Sequence, residues 1–144
     1  MSLGEGLGLG LRCFCGAVDQ ALTAPVSSVV NCHCGQCRQL SGAAFTTWVS
    51  VPAAALDHAS LTEPSVRAFD VTPRVRRHFC TRCGSHLFTT DNRLTRIVGL
   101  PLGAVHGGPV PAPTAHYFVD DRPAWLAFCD SLPRFGGESG IEPR

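Results

Sequence analysis

The sequence predicts a mainly β fold of many short strands with few short helices. Three observations lead there. The 144 residues include 15 Gly and 11 Pro, which mark turns rather than long helices. The apolar residues fall in short runs rich in Val, Phe, Thr and Trp, the composition of strands. Seven of the 8 cysteines lie in three tight clusters, a spacing that suits metal sites within a chain of short elements.

Each element follows from its residues in order. Residues 11–15 read as a strand entering a turn at Gly16, and 17–22 alternate weakly, as a half-buried strand does. Residues 26–32 are a β-branched run. Residues 36–41 fit one helical turn, ended by Gly42. Residues 44–51 form the clearest strand, closed by Pro52, and 53–56 a short helical turn. Residues 66–71 and 75–79 are two strands joined at Thr72-Pro73. Residues 86–90, 96–100 and 116–119 are further strands, 101–113 is a Gly/Pro loop, 123–128 is helical, and 133 onward is a loose tail. Phe45, Trp48, Phe79, Phe88, Phe118 and Trp125 are expected in the core. The domain organisation expected is a flexible leader at 1–10, one zinc-binding β domain at 11–135 and a flexible tail at 136–144.

Composition excludes several classes. With 44% hydrophobic and 16% charged residues, most of the chain should fold. A formal net charge of +1 gives no electrostatic footprint for nucleic acid. All 12 basic residues are Arg, which excludes a Walker-type phosphate loop and a Schiff-base lysine. Residues 1–11 carry no positive charge and their apolar runs are broken by Gly, so they do not read as a signal peptide. No uncharged apolar stretch approaches the roughly 20 residues of a membrane helix. The chain is therefore expected in the cytoplasm, away from membranes, where disulfides are rare and cysteines need another role.

The clusters are Cys13/Cys15, Cys32/Cys34/Cys37 and Cys80/Cys83. Cysteines one or two residues apart in a turn can aim both sulfurs at one ion. Gly16, Gly35 and Gly84 each follow a cysteine and tolerate the positive φ that such turns need. The simplest partition assigns Cys13, Cys15, Cys80 and Cys83 to a closed, structural four-thiolate site. Cys32, Cys34 and Cys37 then make a three-thiolate site with an open fourth position, the arrangement of a catalytic zinc. A rival partition groups Cys13, Cys15, Cys32 and Cys34. Arg38, Arg74, Arg76, Arg77 and Arg82 flank the clusters and are candidates for offsetting thiolate charge. His33, His78, His86 and His116 are candidate fourth ligands or acid–base groups. Cys129 stands apart, as a buried spectator. An open three-thiolate zinc would hold an incoming thiol as the nucleophilic thiolate.

These residues resemble the glutathione-dependent formaldehyde-activating enzyme family, which is related to centromere protein V. The resemblance is carried by Cys13-x-Cys15-Gly16 and by Cys32-His33-Cys34-x-x-Cys37-Arg38 with Ser41-Gly42. It continues in Arg77-x-Phe79-Cys80-x-x-Cys83-Gly84-Ser85, then His116 and Trp125, and runs from about residue 11 to 135. It implies small antiparallel sheets holding two zincs per chain. Cys13, Cys15, Cys80 and Cys83 would hold the structural ion, and Cys32, Cys34 and Cys37 the catalytic one. The implied activity is that of a carbon–sulfur lyase, interconverting glutathione plus formaldehyde and S-(hydroxymethyl)glutathione. The alternatives are the same zinc chemistry on another small thiol or electrophile, a non-catalytic glutathione-binding protein, and a zinc-ribbon nucleic-acid binder, which the charge balance disfavours.

Overall fold

The computed structural model describes residues 8–144. The leader expected at 1–10 thus lies mostly outside the described residues, while Leu9 is buried and Gly10 already belongs to a strand. In chain order the strands and helix are β1 (Gly10–Arg12), β2 (Asp19–Ala21), β3 (Ser28–Cys32), α1 (Gly35–Ser41) and β4 (Thr46–Pro52). They continue as β5 (Val66–Asp70), β6 (Val75–Cys80), β7 (His86–Asp91), β8 (Ile97–Pro101), β9 (Val105–His106), β10 (His116–Tyr117), β11 (Phe135–Gly136) and β12 (Glu142–Pro143). The fold is mainly β, with short single turns of 3-10 helix between strands. None of the described helices is long and apolar enough to cross a membrane.

The chain divides into two compact units. The first joins the described residues up to Ser27 with Val49–Pro111. Here β1 pairs antiparallel with β2 and β9, and β8, β7, β6 and β5 follow one another in an antiparallel sheet. The β5–β6 turn sits where Thr72-Pro73 predicts it. The Thr72 hydroxyl accepts the N–H groups of Arg74 and Val75, at 3.1 and 2.9 Å, which closes the turn. The core is aliphatic: Leu11, Val49, Val51, Leu87 and Leu100 are fully buried and Phe88 nearly so. Each such side chain contributes roughly 1.5–3 kcal/mol by leaving water.

The second unit joins Ser28–Trp48 with Ala112–Arg144. β10 pairs in parallel with β3, Tyr117 opposite Cys32, and β11 pairs antiparallel with β12. Its interior is polar. The buried polar residues Asn31, His33, Thr46 and His116 all belong to it. Buried polar groups need partners, and Asn31 finds one in the Thr47 hydroxyl, 2.6 Å away.

The structure departs from the sequence reading in several places; of the aromatic residues expected in the core only Phe88 is buried, while Phe45, Trp48, Phe79 and Phe118 are half-buried. Residues 123–128 are a turn rather than a helix, because six residues give too few hydrogen bonds to offset helix nucleation. The Arg122 guanidinium instead takes the carbonyls of Val119 and Leu126, at 2.8 and 3.1 Å. Trp125 is 74% exposed on that turn, outside the core. The loop at 101–113 contains β9, which finishes the edge of the β1 sheet. Residues past 133, read as a loose tail, carry β11 and β12. Asp120 ties them down by accepting the Gly137 N–H at 2.7 Å and the Arg144 guanidinium at 2.8 Å.

Candidate metal centres

The first cysteine group lies in the first unit. Cys13 follows β1, in a turn closed by hydrogen bonds from the Gly16 N–H to the Cys13 carbonyl and from the Cys13 N–H to the Val18 carbonyl, both 3.1 Å. Cys80 ends β6, in a second knuckle. There the Gly84 N–H meets the Cys80 carbonyl and the Cys80 N–H meets the Ser85 carbonyl, both at 2.9 Å. Gly16 and Gly84 have φ of 79° and 75°, conformations an L side chain resists. Gly35 differs: it opens α1 and its φ is not positive.

These knuckles bring the sulfurs of Cys13, Cys15, Cys80 and Cys83 within 4.8 Å of one another. Cys13 and Cys15 are 3.5 Å apart, and Cys15 and Cys80 3.7 Å. Ser85 braces the group from outside: its hydroxyl accepts the Phe14 N–H at 3.0 Å and lies 3.1 Å from the Cys83 sulfur. Hydrogen bonds from the Ser85 hydroxyl and N–H draw the Cys83 thiol down to about 5. Cys13 is also lowered, although burial opposes it, because the Val18 N–H and the Cys15 and Cys80 thiols favour its thiolate. Cys15 has one favourable bond, from the Ala17 backbone. Burial and the neighbouring thiols outweigh it and push Cys15 up to about 11.

The second group lies in the second unit. Cys32 ends β3, Cys34 is the N-cap of α1, and Cys37 sits in the first turn of that helix. The Cys34 sulfur accepts the Cys37 N–H at 3.2 Å, and the Cys37 and Cys32 sulfurs lie 3.5 Å apart. Gly42, with φ of 73°, ends the helix by donating its N–H to the Arg38 carbonyl. The three sulfurs again lie within 4.8 Å of one another.

Among these three thiols the local contacts favour the thiolate most at Cys34. Hydrogen bonds from Cys32 and Cys37 hold Cys34 down at about 2 against its burial, helped by the N–H groups of Cys37 and Gln36. Cys32 is pushed up by its contacts with Cys34 and Cys37 and by burial. For Cys37 the bond to Cys32 favours the thiolate, and so does the Trp48 side chain. Cys34 and burial outweigh both and raise it to about 11.

Both groups fit a metal ion. Thiolates about 2.3 Å from a tetrahedral ion lie about 3.8 Å from each other. The sulfur separations given above, 3.5 to 3.7 Å, are near that edge length. All eight cysteines are free thiols, including Cys129, which is exposed rather than buried.

Among the described residues no histidine nitrogen joins either sulfur group. His78 stacks on Phe88 at 4.1 Å and meets the Thr90 hydroxyl at 3.1 Å. His86 meets the Thr89 hydroxyl at 2.8 Å. His33 and His116 meet each other: His33 Nε2 lies 2.9 Å from His116 Nδ1, and His116 Nε2 lies 3.0 Å from Asp130. Burial, with the nearby His116 and Arg122, holds His33 down at about 4. The hydrogen bond from His116 and the Leu132 N–H lower Asp130. The flanking arginines are partly engaged elsewhere, since Arg74 pairs with Asp91 at 3.1 Å and Arg76 with Asp70 at 2.7 Å. The Nε atom of Arg38 is buried with no hydrogen-bond partner.

Ser85, Trp48 and Asp130 are the residues whose roles the sequence reading missed. Ser85 closed a recognised motif without being given a role, and Trp48 was assigned to the core. Nothing in the sequence links Asp130 to residues near position 32.

The chain is similar to known proteins. A curated protein of Halomonas elongata, with the name "Putative glutathione-dependent formaldehyde-activating enzyme", is 29% identical over 122 residues, covering 79% of this chain and 76% of the relative. The description "Glutathione-dependent formaldehyde-activating enzyme" fits residues 9–121, a span that holds both cysteine groups whole. By that match the chain belongs to the glutathione-dependent formaldehyde-activating enzyme family.

Proposed function

We propose that this protein is a zinc-dependent carbon–sulfur lyase, which interconverts glutathione plus formaldehyde and S-(hydroxymethyl)glutathione. In the forward direction a bond forms between the glutathione sulfur and the formaldehyde carbon. The carbonyl oxygen becomes a hydroxyl, and the proton comes from the thiol. The reverse reaction breaks the same bond. We assign Cys32, Cys34 and Cys37 to the catalytic zinc and Cys13, Cys15, Cys80 and Cys83 to a structural zinc.

The observation that carries this reading is the three-sulfur group with no fourth protein ligand among the described residues. Zinc held there by three thiolates would keep its remaining position for a thiol and hold that thiol as thiolate. The chain supplies the frame. β3 sets Cys32, the start of α1 sets Cys34, and the first helical turn sets Cys37. The four-sulfur group joins the end of β1 to the end of β6, which suits a staple. Reduced thiols on both protein and substrate fit a cytoplasmic setting. The family match supports glutathione as the thiol and formaldehyde as the electrophile.

The test is the equilibrium exchange rate between formaldehyde and its glutathione adduct, read by NMR with the zinc-loaded protein and a panel of small thiols. Acceleration selective for glutathione supports the proposal. Equal acceleration for simple thiols removes glutathione from it. Saturable glutathione binding without acceleration replaces the enzyme with a binding protein.

A further inference from the structure

The second unit contains a chain of three linked side chains, two of them buried, that the proposed reaction does not use. The Asp130 carboxylate lies 3.0 and 3.2 Å from His116 Nε2, and His116 Nδ1 lies 2.9 Å from His33 Nε2. His33 is fully buried, His116 is 4% exposed, and Asp130 opens to solvent at the far end. His33 sits in sequence between two cysteines of the three-sulfur group.

The hydrogen positions follow from what each group can do. A carboxylate only accepts, so His116 Nε2 carries the hydrogen. In the neutral ring Nδ1 is then an acceptor, so His33 Nε2 must donate to it. This leaves His33 Nδ1 as a bare lone pair, and that atom is buried with no partner. Asp130 thus selects, through His116, the Nε2-protonated tautomer of His33.

The direction of the His33 side chain shows what this serves. Side chains alternate along a strand. Val29, Asn31 and His33 are buried, while Cys32 between them is only partly so. His33 follows directly on β3, continues this alternation of burial, and stays outside the three-sulfur group. It does not compete for the ion, but it fixes the backbone that bears the ligands. The same stretch is held by main-chain bonds, from the Asn31 N–H to Ala115 at 3.0 Å and from the His33 N–H to Tyr117 at 2.9 Å. Cys34 follows directly as the cap of α1, so the clamped segment also sets where Cys37 falls.

We propose that Asp130, His116 and His33 are positioning residues for the second metal site, acting as one relay that fixes the Cys32–Cys34 segment in metal-binding geometry. This inference rests on the reading of Cys32, Cys34 and Cys37 as metal ligands. Residues that orient metal ligands typically change metal affinity by about ten- to a hundredfold when altered.

The test uses the full-length, cadmium-loaded chain, in which cadmium NMR distinguishes a four-thiolate ion from a three-thiolate ion. Chelator titration then gives the affinity of each site, with the four-cysteine site as internal standard. Asp130→Asn is expected to weaken the three-cysteine site about tenfold and leave the four-cysteine site unchanged. In a His116→Phe background, which cuts the relay, Asp130→Asn should have no further effect. Proton–nitrogen correlation spectra of the unmutated chain should show both rings protonated at Nε2. An Nδ1-protonated ring, an unchanged Asp130→Asn affinity, or additive effects of the two substitutions would overturn the relay. An unmutated chain that binds only one ion overturns the metal reading itself, whatever the ring tautomers show.

Discussion

The Cys34 sulfur accepts the backbone N–H of Cys37 at 3.2 Å. One residue is therefore both the cap of α1 and a donor in the three-sulfur group. Helix caps and metal ligands make different demands. A cap needs any small acceptor, whereas the metal reading needs a thiolate.

Those demands can be separated by substitution. Cys34→Ser keeps a good cap and is expected to retain the fold while losing the second ion. Cys34→Ala loses both and should cost about 1 kcal/mol more in stability. Chemical denaturation with metal counting checks this. Equal stability of the two variants would remove the capping role.

The two cysteine groups should differ in what their loss does. Structural zinc sites couple binding to folding and contribute of order 10 kcal/mol of apparent binding energy. Cys83→Ser should therefore unfold much of the first unit, while Cys37→Ser should mainly weaken the second ion. Thermal melts of both variants give the order, and the reverse order would exchange the structural and catalytic labels.

His78 and His86 give the fold a pH dependence. Burial is the main cause that lowers each to about 4 from an ordinary value of 6.5, with Arg76 and Arg77 adding to it. Between pH 6.5 and 4 the unfolded chain therefore binds more protons than the folded one. Stability falls on acidification through that window and is level above it. Each histidine contributes up to about 1.4 kcal/mol per pH unit. His78→Gln should flatten the slope of unfolding free energy against pH, relative to the unmutated chain at the same metal loading. An unchanged slope would contradict the assignment.

Gly140 holds the C-terminal strands against Phe118. Its φ is 79°, and a Cβ there would meet the Phe118 ring. Phe118 is itself left-handed, with φ of 56°, and donates its N–H to the Gly140 carbonyl at 3.0 Å. Gly140→Ala should destabilise the second unit by about 1–3 kcal/mol. Ser139→Ala is the control, and a matching loss there would make the effect unspecific.

Much of this was legible in the sequence because the informative contacts are local. Cys32, Cys34 and Cys37 fall within six consecutive residues at the junction of β3 and α1, and Cys13/Cys15 and Cys80/Cys83 each occupy one knuckle. Spacing alone therefore suggests the groups that the structure brings together. The longer strands were equally readable, since short β-branched runs between Gly and Pro admit few other conformations. What escaped was long-range. His33 meets His116 from 83 positions away, and no local pattern encodes that pairing. The closing hairpin was missed because its strands are two residues each and depend on Asp120 rather than on strand propensity. Trp125 looked like core because it is large and apolar, but Arg122 holds its segment in a turn.

The central claim is that the Cys32, Cys34 and Cys37 group activates the thiol. The most direct measurement is the NMR exchange rate between formaldehyde and S-(hydroxymethyl)glutathione, compared for the zinc-loaded chain and Cys34→Ser with zinc counted in both. The account predicts two zincs and acceleration in the first, and one zinc and only the spontaneous rate in the second. Full acceleration in Cys34→Ser would contradict it.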